Sequence, residues 1–372
     1  FKTIADFRRD NSAAFTATCR TFVRFFRNAG LIAGELVAID GSKFQAVASS
    51  RKHLTPKKLK QREAVLDKRI ARYLAQLDEA DRGEDGESID RSAVQAALQE
   101  LQVKKANNQT CQVPMEAQGL AQHVVGEPEA QKMRTASGPL VVYNIQSAVD
   151  AKHCLILHHE VTQEGTDNRQ LDPMAKAAKE ELHQSELCVT ADAGYSNGAQ
   201  FQSCEDAGIT AFVPPNRSIN TTGGDEQYFD RTEFIYDTDN DQYQCPAGNQ
   251  LTLKQLSKGD RIYQAAISDC RSCPLKSRCT KAERWYLTRH AHEAAFERME
   301  RRMKAHPEMM VNRRSIVEHP FGNLKQWIFG NGRFLLRQLQ GTRAEMALAV
   351  QAYNLKRAIQ VLGAQKLMAL MG

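Results

Sequence analysis

The apolar positions along the chain change their spacing several times, and each change marks an element. Phe15, Cys19, Phe22, Val23 and Phe26 recur at helical spacing, so residues 2–30 read as one or two helices. Leu36 to Asp40 reads as a strand, with Lys43 to Ala48 as its hairpin partner. Pro56 opens a long helix whose apolar positions Leu59, Leu66, Ile70, Tyr73 and Leu77 keep a heptad-like rhythm. An acidic, Gly-containing loop at 81–87 separates it from a second helix carrying Val94, Leu98 and Leu101. Two β-rich runs follow, Leu140 to Val149 and Cys154 to Val161. Then come a helix from Leu171 to Leu182, a strand ending at Asp192, a helix from Gly198 to Ala207 and a strand from Ile209 to Val213. Residues 216–290 are polar and tyrosine-bearing, and the remainder reads as helical. Thr342-Arg343-Ala344-Glu345 has the form of a capping box for the last long helix.

With two insertions set aside, the order is strand, strand, strand, helix, strand, helix, strand, helix. That is an α/β arrangement of ribonuclease H-like type, a mixed sheet flanked by helices. The predicted division has residues 1–34 as the remnant of an N-terminal helical region. Residues 35–215 and 291–372 form the catalytic domain, with a helical hairpin inserted at 56–108 and a small zinc-ribbon-like segment inserted at 216–290. A chain of 372 residues can bury a substantial core. No apolar run approaches the ~20 residues of a membrane span, and the first residues do not read as a signal peptide. A cytoplasmic protein is expected. The net charge of +6 suits a polyanionic partner, and the cations crowd the stretch from Arg298 to Arg343.

Two aspartates lie at or near the ends of apolar strands, Asp40 before Gly41 and Asp192 before Ala193-Gly194. Singly, each is most often a turn-former. Glu318 belongs to the last core helix, so three acids arrive on strand, strand and helix. Such a set holds two divalent cations for phosphodiester chemistry, Mg²⁺ or Mn²⁺, with Asp40 shared and Asp192 and Glu318 completing one site each. Arg314, one turn before Glu318, and Lys325, two turns after it, fall on roughly the same helical face and would steady phosphates, with Arg313 and Arg337 beside them. Asp150 reads as a turn residue, and Asp167 as a helix cap or an acid supporting the metal ligands from behind.

Of nine cysteines, Cys19, Cys111, Cys154, Cys188 and Cys204 sit in apolar or helical surroundings and read as plain thiols. Cys245, Cys270, Cys273 and Cys279 lie in the polar insertion, and their C-x2-C pair suits a structural Zn²⁺. His290 and His292 are substitute ligands that read better as helix-start residues, and His153, His158 and His159 need no metal.

Residues 37–48 (VAIDGSKFQAVA), 143–150 (YNIQSAVD), 191–197 (ADAGYSN), 314–330 and 353–357 (YNLKR) resemble the DDE transposases of bacterial insertion sequences, in order and over nearly the whole chain. The resemblance implies cutting at the ends of a mobile element and joining the freed 3′-hydroxyl to target DNA. It places Asp40, Asp192 and Glu318 on the family's metal-binding triad, and implies double-stranded DNA as partner and a homodimer acting on it. A Tyr frequent in relatives is Val311 here, and Trp327 is expected to pack in the core. A transposase-derived protein that binds DNA without catalysis, and a nuclease without strand transfer, are the other readings.

Overall fold

The structure, a computed structural model, describes residues 3, 6, 7, 10–82, 90–216, 228, 229, 231–257 and 259–371. The chain divides into two units, residues 1–166, 180–183 and 315–372 in the first and 167–179 and 184–314 in the second.

In the first unit, β5 (Gly138–Asp150) is the longest strand, and both of its edges are paired. β1 (Leu36–Gln45) runs antiparallel along one edge, from Val37 opposite Asp150 to Gln45 opposite Val142. The other edge is shared end to end by β4 (Gln131–Thr135) and β6 (Ile156–Thr162), both antiparallel. Lys43 to Gln45 is therefore the continuation of β1 and not its hairpin partner. A reversal at Gly41-Ser42 would forfeit the ladder from Gly41 to Gln45, and Gly41 stays out of the left-handed region.

Ala38, Phe44 and Ala46 are buried in one cluster with Ile316, Val317, Phe321 and Leu324. Since strand side chains alternate between faces, Asp40 lies on the side of β1 that meets this cluster. α9 (Gln338–Leu362) adds Met346, Ala349, Val350 and Tyr353 to the same cluster, and α1 (Ser12–Asn28) meets α9 through the Cys19 thiol, which donates to Ala347 O at 3.1 Å.

The capping box does not form. α9 starts at Gln338, and the Thr342 hydroxyl bonds back to the carbonyls of Gln338 and Leu339. Glu345 instead accepts from the amides of Leu335 and Leu336, satisfying the loop that enters the helix.

Three α9 side chains lock the β5–β6 turn. Asn354 accepts from Ile156 N and donates to Ile156 O, both at 2.9 Å. Tyr353 Oη donates to Cys154 O at 2.7 Å, and Arg357 Nε donates to His153 O at 2.8 Å. Asp150, fully buried, accepts from the amides of Gly34 and Lys152 and is structural, as its turn position suggests.

The hairpin consists of α2 (Pro56–Arg82) and α3 (Arg91–Ala117), which continues past residue 108. Lys105 crosses to Asp67 at 2.6 Å, and Asp90 caps α3 through Ala93 N. Most of the expected acidic loop, residues 83–87, lies outside the described residues.

His158 and His159 sit side by side on β6. Burial, then Arg20, pulls His158 down to about 4; burial, then His158, pulls His159 down to about 3. Both lowered values mean that the fold holds the neutral rings, so this stability is complete above pH ~6.5, the unfolded histidine value. Below it, each further pH unit costs up to ~1.4 kcal/mol per histidine until the folded values are passed. Replacing both with Gln should flatten the loss of melting temperature between neutral and acid pH. An unchanged profile would assign acid sensitivity elsewhere.

The second unit contains the parallel pair β7 (Leu187–Thr190) and β8 (Ile209–Phe212), joined by α5 (Gly198–Asp206). α7 (Glu293–Ala305) packs on α5 so closely that a Cβ on Gly198 would stand 2.6 Å from the Phe296 ring. Arg298 and Arg302 of α7 both pair with Glu205, at 2.6 and 3.0 Å, which removes two cations from the expected basic face.

The insertion is not a minimal ribbon. It forms a five-stranded antiparallel sheet, in order β13 (Tyr286–Arg289), β12 (Asp260–Ala265), β11 (Gln250–Ser257), β10 (Gln242–Gln244), β9 (Ile235–Asp237). Its own core buries Phe234, Tyr243, Leu251, Tyr263 and Leu287, and Phe234 stacks on Trp285 at 5.3 Å. The hydroxyls of Tyr236 and Tyr263 both donate to Asp241, which explains how a polar, tyrosine-bearing stretch supports a core. Among the described residues no helix is long and apolar enough to cross a membrane.

Candidate active site

Asp40 lies within β1 opposite Ser147 of β5 and is half-buried. Glu318 is carried by α8 (Met309–Asn323), which buries Ile316, Val317, Pro320 and Phe321 and leaves Glu318 exposed. Phe321, three residues on from Glu318, meets Phe44 at 6.4 Å between ring centroids, and Phe329 and Phe334 meet the same ring at 5.3 and 5.9 Å. His319 is held through Nδ1 to Tyr353 Oη at 2.9 Å, so the residue next to Glu318 is tied to the locked β5–β6 turn.

After Asn323 the helix widens into a π-turn, Leu324–Ile328. The wider turn moves Lys325 off the position that regular helical spacing gives it. Its Nζ lies 5.3 Å from the centre of the Phe44 ring. Burial lowers the Lys325 pKa while the charge of Asp40 opposes that fall, so ammonium and carboxylate feel each other. The same turn buries Leu324 and leaves Trp327 76% exposed, with Lys356 Nζ 5.5 Å from its ring, so Trp327 does not pack in the core.

In the second unit Asp192 opens a short 3-10 turn, Ala193–Tyr195, with Oδ1 accepting from Gly194 N at 2.8 Å. Its Oδ2 is 3.4 Å from Arg313 Nη2. Arg313, expected on phosphate, thus orients a carboxylate, whereas Arg314 is exposed. A Cβ on Gly194 would lie 2.9 Å from Asp192 Oδ1 and 3.9 Å from Asp167 Oδ2, so two carboxylates flank this glycine. Sequence reading placed Asp167 only as a cap or supporting acid; its nearness to Asp192 across 25 residues has no local signal.

Of the outer cations, Arg337 lies beside Gly126 and offsets the charge of buried Glu127, and Arg343 pairs with Glu160 at 2.5 Å. His290 pairs with Asp260 at 3.0 Å, and His292 is the N-cap of α7, as its helix-start position suggests.

Cys245, Cys270, Cys273 and Cys279 line one cavity of about 20 Å³, and all four are free thiols. Burial, then Cys270, Cys245 and Cys273, pushes the Cys279 thiol up to about 11. Yet among the described residues no group of three or more His, Cys, Asp or Glu is disposed to hold a metal ion. That holds for the four thiols, which share a cavity, and equally for Asp40, Asp192 and Glu318. Four sulfur donors nevertheless have the chemistry of a zinc site, and the carboxylates Asp40, Asp192 and Glu318 are the oxygen donors that Mg²⁺ prefers.

A family model described as "Transposase DDE domain" matches residues 127–355, more than half of the chain. The match includes Asp192 and Glu318 and begins downstream of Asp40. No curated protein and no solved structure matches the chain.

Proposed function

Because the chain belongs to the DDE transposases, we propose that it cuts DNA at the ends of a mobile element and joins the freed 3′-hydroxyl to target DNA. Asp40, Asp192 and Glu318 would hold two Mg²⁺ or Mn²⁺ ions, Asp40 serving both. Bound there, the ions supply an activated oxygen nucleophile and neutralise the charge that develops on the phosphate. Lys325, half-buried on Phe44 and within the field of Asp40, would hold a phosphate oxygen next to the reacting one. Arg314, exposed on α8, would hold the backbone further along. Arg313 and Gly194 N would fix the rotamer of Asp192.

The strongest support, beyond family membership, is the packing of the Glu318 helix on the Asp40 side of β1 through Phe44 and Phe321. The test is Mg²⁺-dependent nicking of supercoiled DNA by the purified chain. Nicking that needs the metal and all three acids supports the reading; folded protein that never nicks in Mg²⁺ or Mn²⁺ refutes it.

The four insertion cysteines, which line one shared cavity, would hold one structural Zn²⁺. Metal analysis of the purified chain is expected to find about one zinc per chain, largely lost in Cys273→Ser. A zinc-free chain whose melting temperature ignores chelators would rule this out.

A further inference from the structure

A second feature of the first unit lies next to Asp40 and has no part in the triad. It is an open groove of about 750 Å³ that begins at Gly41 and runs between β1, the β4–β5 hairpin and the loop after the π-turn. Lys43, Arg134 and Lys325 line it together with Gln45, Ser137 and Asn331, and among the described lining residues there is no carboxylate. Three cations in one concavity repel one another, and a solvated surface ordinarily intersperses acids among them. The volume is far larger than a single small anion needs.

The walls are fixed in advance. The β4–β5 turn is closed by Thr135 Oγ1 donating to Gly138 O at 2.6 Å, which holds the strand end that carries Arg134. The far wall is strapped to β1 by Gln45 N donating to Gly332 O at 2.7 Å and Phe334 N donating to Gln45 O at 2.9 Å. Gly332, at φ +61°, lets the Lys325 stem lie flat, since a Cβ there would be 3.2 Å from Lys325 Cγ. Lys43 Nζ donates to Gly165 O at 3.4 Å.

We infer that this groove takes the sugar-phosphate backbone of the DNA strand flanking the cut, an assignment that rests on the transposase reading. Lys43 and Arg134 pair with successive phosphates. Ser137 and Asn331 supply the neutral donors that commonly accompany such contacts. Lys325 lines the groove and also feels the charge of Asp40, which links the groove to the proposed triad.

The test uses the full chain and a short fluorescent duplex, with Ca²⁺ replacing Mg²⁺, and follows affinity against salt. Each phosphate contact contributes roughly 0.9 to the slope of log affinity on log salt, so Lys43→Ala with Arg134→Ala should lower that slope by about 1.8. Lys43→Arg should restore its share, and Arg134→Ala alone, on an exposed hairpin, should lose about 0.9 even if the double variant folds poorly. A wild-type slope in Arg134→Ala and in a folded double variant overturns the groove assignment and leaves the triad untouched. Normal duplex binding with the predicted slope changes, but no nicking in Mg²⁺, supports the groove and refutes the catalytic reading instead.

Discussion

Replacing Asp40 with Asn is expected to reduce Mg²⁺-dependent nicking at least about a thousandfold, since a lost ligand charge forfeits several kcal/mol of transition-state stabilisation. The fold should survive. Asp40 sits within a strand whose backbone is paired from Val37 to Gln45, and Asn matches the shape of Asp. DNA binding should survive as well, because phosphate contacts come from Lys and Arg side chains. Glu318→Gln should behave alike, being an exposed substitution on a helix anchored by Val317, Phe321 and His319. Nicking assays beside thermal melts would check this. Substantial nicking by a folded Asp40→Asn chain would remove Asp40 from the triad.

The largest effect on stability is expected at Asn354. It is 3% exposed and uses both ends of its amide on Ile156. Asn354→Ala leaves a buried donor and a buried acceptor without that partner, at a cost of about 3 kcal/mol. Tyr353→Phe removes the hydroxyl that joins His319 to Cys154 O and should cost about 1 kcal/mol. Denaturant titration measures both. An unchanged midpoint in Asn354→Ala would show that water replaces the side chain, and that the β5–β6 turn does not depend on α9.

These two sites also mark what could be read without coordinates. The strand and helix order was legible because apolar runs and their breaks survive in the primary pattern. Leu171–Leu182 is a helix with the bounds expected of it. β1 was cut short because Asp40-Gly41-Ser42 has turn chemistry; the long partner β5 overrides it by pairing the full strand. Thr342 and Glu345 have capping-box spacing, but Glu345 finds the amides of Leu335 and Leu336. The insertion reads as a small zinc-ribbon-like segment because its apolar residues are dispersed among polar ones; strand pairing gathers Phe229, Phe234, Tyr243, Leu251, Tyr263 and Leu287 into one core.

At the candidate site, Asp192 follows the end of β7 and Glu318 lies on a helix as expected, whereas Asp40 lies within β1 and not at its end. The pairing of Arg313 with Asp192 could not be picked out, since 121 residues separate them. Nor could the π-turn, which gives Lys325 to Phe44 and exposes Trp327. Only the packing of Phe321, Phe329 and Phe334 around Phe44 makes that irregularity intelligible.

The proposed triad requires Asp40 and Asp192 to act together on the phosphodiester. Nicking rates of Asp40→Asn, Asp192→Asn and the double variant test it most directly, because groups that act as one unit are strongly non-additive. The account predicts that each single variant loses nearly all activity and that the double loses little more. Losses that multiply, or an Asp192→Asn chain that nicks at the wild-type rate, would contradict it.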